Sequence, residues 1–338
     1  MPCDGHVDRT AVTVKKKRIL LGGFYGCGNL GDDAMLEVLI RTLSDVAPHV
    51  GVSYLTGGDE ALDRSLSESG ATAVLRRPSA VLRAVHECDV LAFGGGSLLQ
   101  NATGSLSLYA YLSLLSLARR FGKKTAILAG GLGPIDGKIP LRATASALRH
   151  LDYASFRDEG ACALARALGA SASTVSGDLA LLLPMEVCAI PLPERFLLVA
   201  LREKSGMPAH FVAQRILCLA EEKGLTPVLC NLFPREDGAY AAAVAREISS
   251  LCGASGRENA VWTLPNLLPS RLRSIVSRAS FVLTGRYHLA LFAYAAGIPF
   301  SVLGDDPKLC AIKKEKRPPD EVAALVLKDI DRFIEVVL

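Results

Sequence analysis

The sequence predicts an α/β protein built from two Rossmann-like, doubly wound domains that face each other across a cleft. Three observations carry this. Short apolar runs alternate with helical stretches along most of the 338 residues. Several of those runs end in glycine, as at Gly94-Gly95-Gly96 and Gly130–Gly133. The alternation breaks once, at PMEVCAIPLPE (184–194), and then starts again. Strand–helix alternation with glycine at the carboxyl ends of strands marks a parallel sheet with helices on both faces. The three prolines of the break can continue neither a helix nor a central strand. The domains are therefore drawn at 18–187 and 188–338, after a tail at 1–17.

In the first half, Arg18–Phe24 reads as a strand, followed by a glycine turn and a helix over Asp32–Val46. Val50–Leu55 is the next strand, and Glu60–Ser69 a helix. Val90–Phe93 is a short strand, Ser105–Phe121 a long helix, Thr125–Ala129 a strand, Leu141–His150 a helix and Tyr153–Phe156 a strand. The second half repeats the pattern. Strands are expected at Phe196–Leu201, Thr226–Asn231, Phe281–Thr284 and Phe300–Leu303. Helices are expected at Ala209–Lys223, Gly238–Leu251, Leu267–Arg278 and Leu289–Ala296. Asp320–Val336 closes the chain as a helix, with Asp320 able to cap it behind Pro318-Pro319. No repeat is visible at the level of residues.

Composition narrows the function. Half of the residues are hydrophobic and 21% charged, which suits a well-buried globular chain. The net charge of +4 is modest for this length and argues against a dedicated nucleic-acid binder. Nine scattered cysteines with no C-x-x-C and no zinc spacing read as reduced, small apolar residues, and no metal site is expected. MPCDGHVDRTAVTVKKK at the start lacks the apolar segment of a secretory signal, so a cytoplasmic location is expected. LSLYAYLSLLSLA (106–118) is too short to span a bilayer and reads as a buried helix.

The first glycine turn contains a literal G-x-G-x-x-G at Gly26, Gly28 and Gly31. A dinucleotide would use the N–H groups of the following helix to hold its pyrophosphate. Asp32-Asp33 stand directly behind the third glycine and would compete for those groups. They suit helix capping or hydrogen bonds to neutral hydroxyls better. A second stretch, VLAFGGGSLLQNATGS (90–105), lets backbone approach a ligand at Gly95 and Gly96, with Ser97, Gln100, Asn101 and Thr103 as neutral donors and acceptors. In a third, Arg286 and His288 stand where a strand meets a helix, and Arg202 follows the strand FLLVAL at an equivalent edge. A guanidinium binds carboxylate or phosphate in a fork, and an imidazole moves a proton near neutral pH. Two arginines and a histidine meeting in one cleft would suit a small, doubly anionic ligand.

Taken in order, seven stretches resemble the polysaccharide pyruvyl transferase family, including the cell-wall type acting on a lipid-linked disaccharide. They are GFYGCGNLGDDA (23–34), FGGGSLLQN (93–101), AGGLGP (129–134), FRDE (156–159), VALR (199–202), TGRYHLALFAYAAGIP (284–299) and DDPK (305–308). The resemblance implies a GT-B-like fold, no cofactor, and phosphoenolpyruvate as the donor co-substrate. The acceptor it implies is a cell-surface glycan or its lipid-linked precursor, which would receive a cyclic pyruvyl ketal on two hydroxyls with release of phosphate. On that analogy Arg202 and Arg286 hold the donor's phosphate and carboxylate, and His288 is the catalytic acid–base. Gly28, Asn29, Asp32, Gly95, Gly96, Ser97 and Gln100 would form the acceptor-side loops. Asn101 stands where many members carry Asp, Tyr287 where Leu is common, and Gly304 where an aromatic is frequent. Peripheral contact with the inner face of the cell membrane is expected from those acceptors and from the basic run Lys313, Lys314, Lys316 and Arg317. Two rivals stay open: a GT-B glycosyltransferase using a nucleotide sugar, and a glycan-binding family member without catalysis.

Overall fold

A computed structural model describes residues 16–102, 104–253 and 261–338; the tail through residue 15 and Thr103 lie outside the described residues. The first sheet contains β1 (Arg18–Gly22), β2 (Gly51–Thr56), β3 (Thr72–Leu75), β4 (Val90–Gly94), β5 (Lys124–Gly130), β6 (Tyr153–Phe156) and β7 (Thr174–Val175). All pairings are parallel, in the order β3-β2-β1-β4-β5-β6-β7. Its helices are α1 (Leu30–Val46), α2 (Glu60–Glu68), α3 (Pro78–Glu87), α4 (Ser105–Arg120), α5 (Lys138–Leu148) and α6 (Glu159–Ala167). The central strands are buried on both faces, which is why RILLG, VLAFG and KTAILAG read as continuous apolar runs without alternation.

The second sheet contains β8 (Phe196–Ala200), β9 (Thr226–Cys230), β10 (Trp262–Thr263), β11 (Phe281–Thr284) and β12 (Phe300–Val302), in the order β10-β9-β8-β11-β12. Around it lie α7 (Ala209–Lys223), α8 (Pro234–Gly253), α9 (Pro269–Val276), α10 (Tyr287–Ala295) and α11 (Pro307–Lys314), with α12 (Pro319–Val337) closing the chain. Residues 183–195 hold no helix or strand and carry the chain between the sheets.

Three expectations need correction. The closing helix does not stay with the second sheet, as the 188–338 boundary implies, but packs on β5 and β6 of the first. Asp329 anchors it there, accepting from Tyr153 Oη at 2.6 Å and Ser155 Oγ at 2.5 Å. The helix also starts at Pro319, so Asp320 lies in its first turn and is not its cap. Finally, α4 is buried only along Leu108, Tyr111, Leu112, Leu115 and Ala118; its other face is open to solvent.

The strand orders place the site. In each sheet the winding direction reverses once, between β1 and β4 and between β8 and β11. Ligands of open α/β sheets bind outside the carboxyl ends of strands at such reversals. The loops leaving those four strands hold the two glycine turns, Arg202, and the Arg286–His288 pair.

Candidate active site in the interdomain cleft

The two reversals face each other across a cleft of about 430 Å³. Asn29, Asp32, Gly96, Ser97 and Gln100 line it from the first domain, and Arg202, Arg286 and His288 from the second. Eight of the ten sequence-predicted positions thus meet in one place. Gly28 faces a smaller neighbouring cavity, and Gly95 is buried against Met35.

The first glycine turn is held by its own side chains. Asn29 caps α1 by accepting from Gly31 N at 3.2 Å, a role the sequence had suggested for Asp32-Asp33. Asp33 turns back to accept from Gly26 N at 2.7 Å, and Asp32 accepts from Asn29 Nδ2 at 2.6 Å. With these carboxylates at the helix start, the turn offers an anion little. Gly31 instead makes room for the other domain: a Cβ there would overlap the His288 ring at Nδ1.

His288 lies in the first turn of α10, edge-on to the Tyr287 ring at 5.1 Å. Its Nε2 is buried and has no hydrogen-bond partner among the described residues. Burial pushes its pKa down to about 4; Asp178 opposes this, while Arg157, Lys308 and Arg286 add to it. The imidazole is therefore neutral at pH 7, whereas the sequence analogy asks for an acid. Asp32 moves the other way. Burial, with Asp178 in support, raises its carboxyl to about 7 against the pull of Arg157 and Lys308.

The arginines also depart from the simple expectation. Arg286 gives Nε and Nη2 to Asp237, each at 2.6 Å, and shares Nη2 with Glu236 at 3.0 Å. This fork ties the start of α10 to the start of α8 and leaves only Nη1 without a bond among the described residues. Arg202 donates Nη1 to Asp306 at 2.5 Å and keeps a buried Nε that has no partner among the described residues.

Two further cations, neither marked by its sequence neighbourhood alone, complete the cleft. Arg157 Nη2 and Lys308 Nζ both donate to Ser97 Oγ, at 3.1 and 3.0 Å. Arg157 also lies over the Tyr287 ring at 5.0 Å and reaches Asp178 at 3.5 Å. Tyr287 thus has a task that a leucine could not perform. Both cations stand in the quoted stretches FRDE and DDPK, but an isolated arginine or lysine carries no signal of its own. On the far side of Ser97, Arg157, Tyr287 and Lys308 opens a second compartment of about 630 Å³. Leu132, Pro134, Leu181, Leu291, Ile312 and Val322 supply its apolar lining.

No curated protein matches the sequence. Solved structures share the architecture at low identity. The UDP-GlcNAc 2-epimerase of Methanocaldococcus jannaschii is 12% identical, with TM-score 0.58 over 90% of this chain and 95% of that one. The Neisseria meningitidis UDP-GlcNAc 2-epimerase bound to UDP-GlcNAc is 15% identical, with TM-score 0.59 over 94% and 91%. Anabaena Alr3699/HepE in complex with UDP and glucose is 13% identical, with TM-score 0.56 over 94% and 91%. These likenesses establish the GT-B-like arrangement of two parallel-sheet α/β domains. The sequence itself matches the polysaccharide pyruvyl transferase family over residues 29–307, from the cap of α1 to the first turn of α11. With that match spanning most of the chain and both halves of the cleft, the protein belongs to the polysaccharide pyruvyl transferase family.

Proposed function

We propose that the cleft transfers a pyruvyl group from phosphoenolpyruvate to two hydroxyls of a cell-surface glycan or its lipid-linked precursor. The observation that carries this is the meeting of Arg157 and Lys308 on one neutral oxygen, Ser97 Oγ. Arg157 has Asp178 and Asp158 as counter-charges on its Nη1 and Nε. Its Nη2 and the Lys308 ammonium, which has no ion pair among the described residues, meet on an uncharged hydroxyl, and an anion would complete that arrangement. Phosphoenolpyruvate brings two anionic groups on a small skeleton. Its phosphate would take Arg157, Lys308 and Ser97, and its carboxylate the unpartnered Nε of Arg202. Arg286, committed to Asp237 and Glu236, positions α10 and supplies at most one nitrogen.

The chemistry follows from the two shifted groups. Burial above all, and then Arg157, Lys308 and Arg286, hold His288 neutral; a bound anion offsets the cationic share and favours the imidazolium. His288 then protonates the methylene carbon while the first sugar hydroxyl adds to C2 and gives its proton to Asp32. The C2–oxygen bond to phosphate breaks, and the second hydroxyl closes the ketal as its proton passes to the departing phosphate. The net change is diol plus phosphoenolpyruvate to ketal plus inorganic phosphate. General acid catalysis of this kind contributes about 10²–10⁴-fold. The polar cleft suits the reacting hydroxyls, and the apolar second compartment suits the remainder of the acceptor.

The neighbours with bound UDP or UDP-GlcNAc favour one competing donor, a nucleotide sugar. Thermal melting separates the two. Phosphoenolpyruvate should raise Tm in the wild type and not in Arg157→Ala or Lys308→Ala. Stabilisation by UDP-GlcNAc with no response to phosphoenolpyruvate would overturn the donor assignment.

A further inference from the structure

We infer that the outer face formed by α3, α4 and α5 docks on an anionic lipid bilayer. These three helices share one side of the first sheet. Their inward residues, Val85 of α3, Leu108 and Leu115 of α4 and Leu148 of α5, belong to a single buried cluster. α4 packs between α3 and α5. The loops entering α4 and α5 are laced together, with Asn101 Nδ2 donating to Asp136 O at 2.8 Å and Asp136 N donating to Asn101 Oδ1 at 2.8 Å. Both helices therefore begin side by side, at the strand ends that open on the cleft.

Large apolar side chains stand out from that face. Leu106 is 86% exposed, Ile139 73%, Leu82 48% and Tyr109 36%. Large apolar side chains left exposed together on one helical face mark an interaction surface. Its charge selects the partner. Neither α4 nor α5 contains an acidic residue. Against Glu87 at the end of α3, which pairs with Arg18 at 3.9 Å, and Asp136 before α5 stand Arg77, Arg83, Arg119, Arg120, Lys138 and Arg142 on or beside the three helices. Both helices start from glycine with no side-chain cap, so their positive ends add to the field. Exposed aliphatic and tyrosine side chains among arginines and lysines, at the plane of a surface, suit the interface of an anionic membrane.

The basic run expected to make such contact is less suited. Glu315 accepts from Arg317 at 2.6 and 3.0 Å, so part of its charge is already neutralised. The α4 end of the surface borders the reaction cleft, since Ser107 and Tyr111 line that cleft. Docking on this face would bring the cleft mouth to the bilayer plane. The inference does not depend on which donor the cleft uses.

Co-sedimentation of the full chain with phosphatidylglycerol and with phosphatidylcholine vesicles tests it, with melting curves to verify folding of each variant. The wild type should bind phosphatidylglycerol vesicles, weakly at high salt, and phosphatidylcholine far less. Leu106→Asp with Ile139→Asp should lower the partition by about tenfold or more. Lys138→Glu with Arg142→Glu should do the same by reversing charge. Lys313→Glu with Lys314→Glu should leave binding unchanged. Absence of wild-type binding, or loss only in the Lys313/Lys314 variant, would overturn the inference. So would a concentration-dependent dimer that Ile139→Asp dissolves, since a second copy would then cover the face.

Discussion

Gly31 in the first turn of α1 and His288 in the first turn of α10 occupy the same space, the missing side chain of one leaving room for the ring of the other. The two residues come from opposite domains and lie far apart in sequence. Alanine in place of glycine within a helix ordinarily stabilises by up to about 1 kcal/mol. Here the added methyl forces a displacement whose cost, about 1–3 kcal/mol, exceeds that gain. Gly31→Ala should lower stability and displace the imidazole. The His288→Ala background should restore the stability, and a double-mutant cycle by denaturant unfolding measures this coupling.

Protonation of His288 should accompany anion binding. Its pKa, held at about 4 by burial and by Arg157, Lys308 and Arg286, must rise once a dianion occupies the cleft. Calorimetric titration with phosphoenolpyruvate at pH 6–7, in buffers of different ionisation enthalpy, should register proton uptake. Asp32, raised to about 7 in the same cleft, takes up protons as well, so the uptake should fall in His288→Gln and vanish only when Asp32→Asn is added. Equal apparent enthalpies in all buffers would contradict the coupling.

Asp32 gives a stability signature as well as a kinetic one. Its folded pKa, about 7, lies above the unfolded value of about 4. The stability linked to a raised pKa is fully present below pH 4 and is lost as pH rises through 7. Asp33, raised to about 8 by burial and by neighbouring carboxylates, acts in the same sense. Asp32→Asn keeps the shape and removes one ionisation. Its Tm should fall less between pH 5 and 8 than that of the wild type, while turnover falls on the order of 10²-fold.

Asp237 is fully buried beneath Arg286 and accepts its two-pronged hydrogen bond. Removing one partner of a buried ion pair costs about 3–5 kcal/mol where the other charge is stranded, and less here, since Arg286 keeps Glu236 at 3.0 Å. Asp237→Ala should lower stability by about 1–3 kcal/mol, leaving Arg286 on its single bond to Glu236 and free to turn toward the cleft. Urea unfolding checks the first effect. A KM for phosphoenolpyruvate that falls while kcat also falls would mark the freed guanidinium binding donor without the right geometry.

Much of this architecture was legible in the sequence because parallel strands and their glycine turns leave strong local traces. Tyr153–Phe156, Ala209–Lys223 and Phe281–Thr284 have the bounds their apolar pattern predicts. Thr72–Leu75 and the helix after it were hidden, because an edge strand of mixed exposure and a helix with little buried surface lack that pattern. α12 was misplaced for a different reason. Its amphipathic repeat specifies a buried face but not which sheet covers it, and Asp329 finds Tyr153 and Ser155 only through tertiary structure. The G-x-G-x-x-G spacing likewise could not reveal that its last glycine serves a histidine of the other domain. Arg202, Arg286 and His288 were visible beside strand ends; Arg157 and Lys308 became meaningful only when both reached Ser97.

The most direct test of the central claim is mass spectrometry of products after incubating the protein with phosphoenolpyruvate and a panel of aryl and lipid-linked glycosides. A pyruvyl ketal on one acceptor, with one equivalent of phosphate released and both lost in His288→Ala, is the predicted result. Failure to form any adduct, with a nucleotide sugar consumed in its place, would contradict the account.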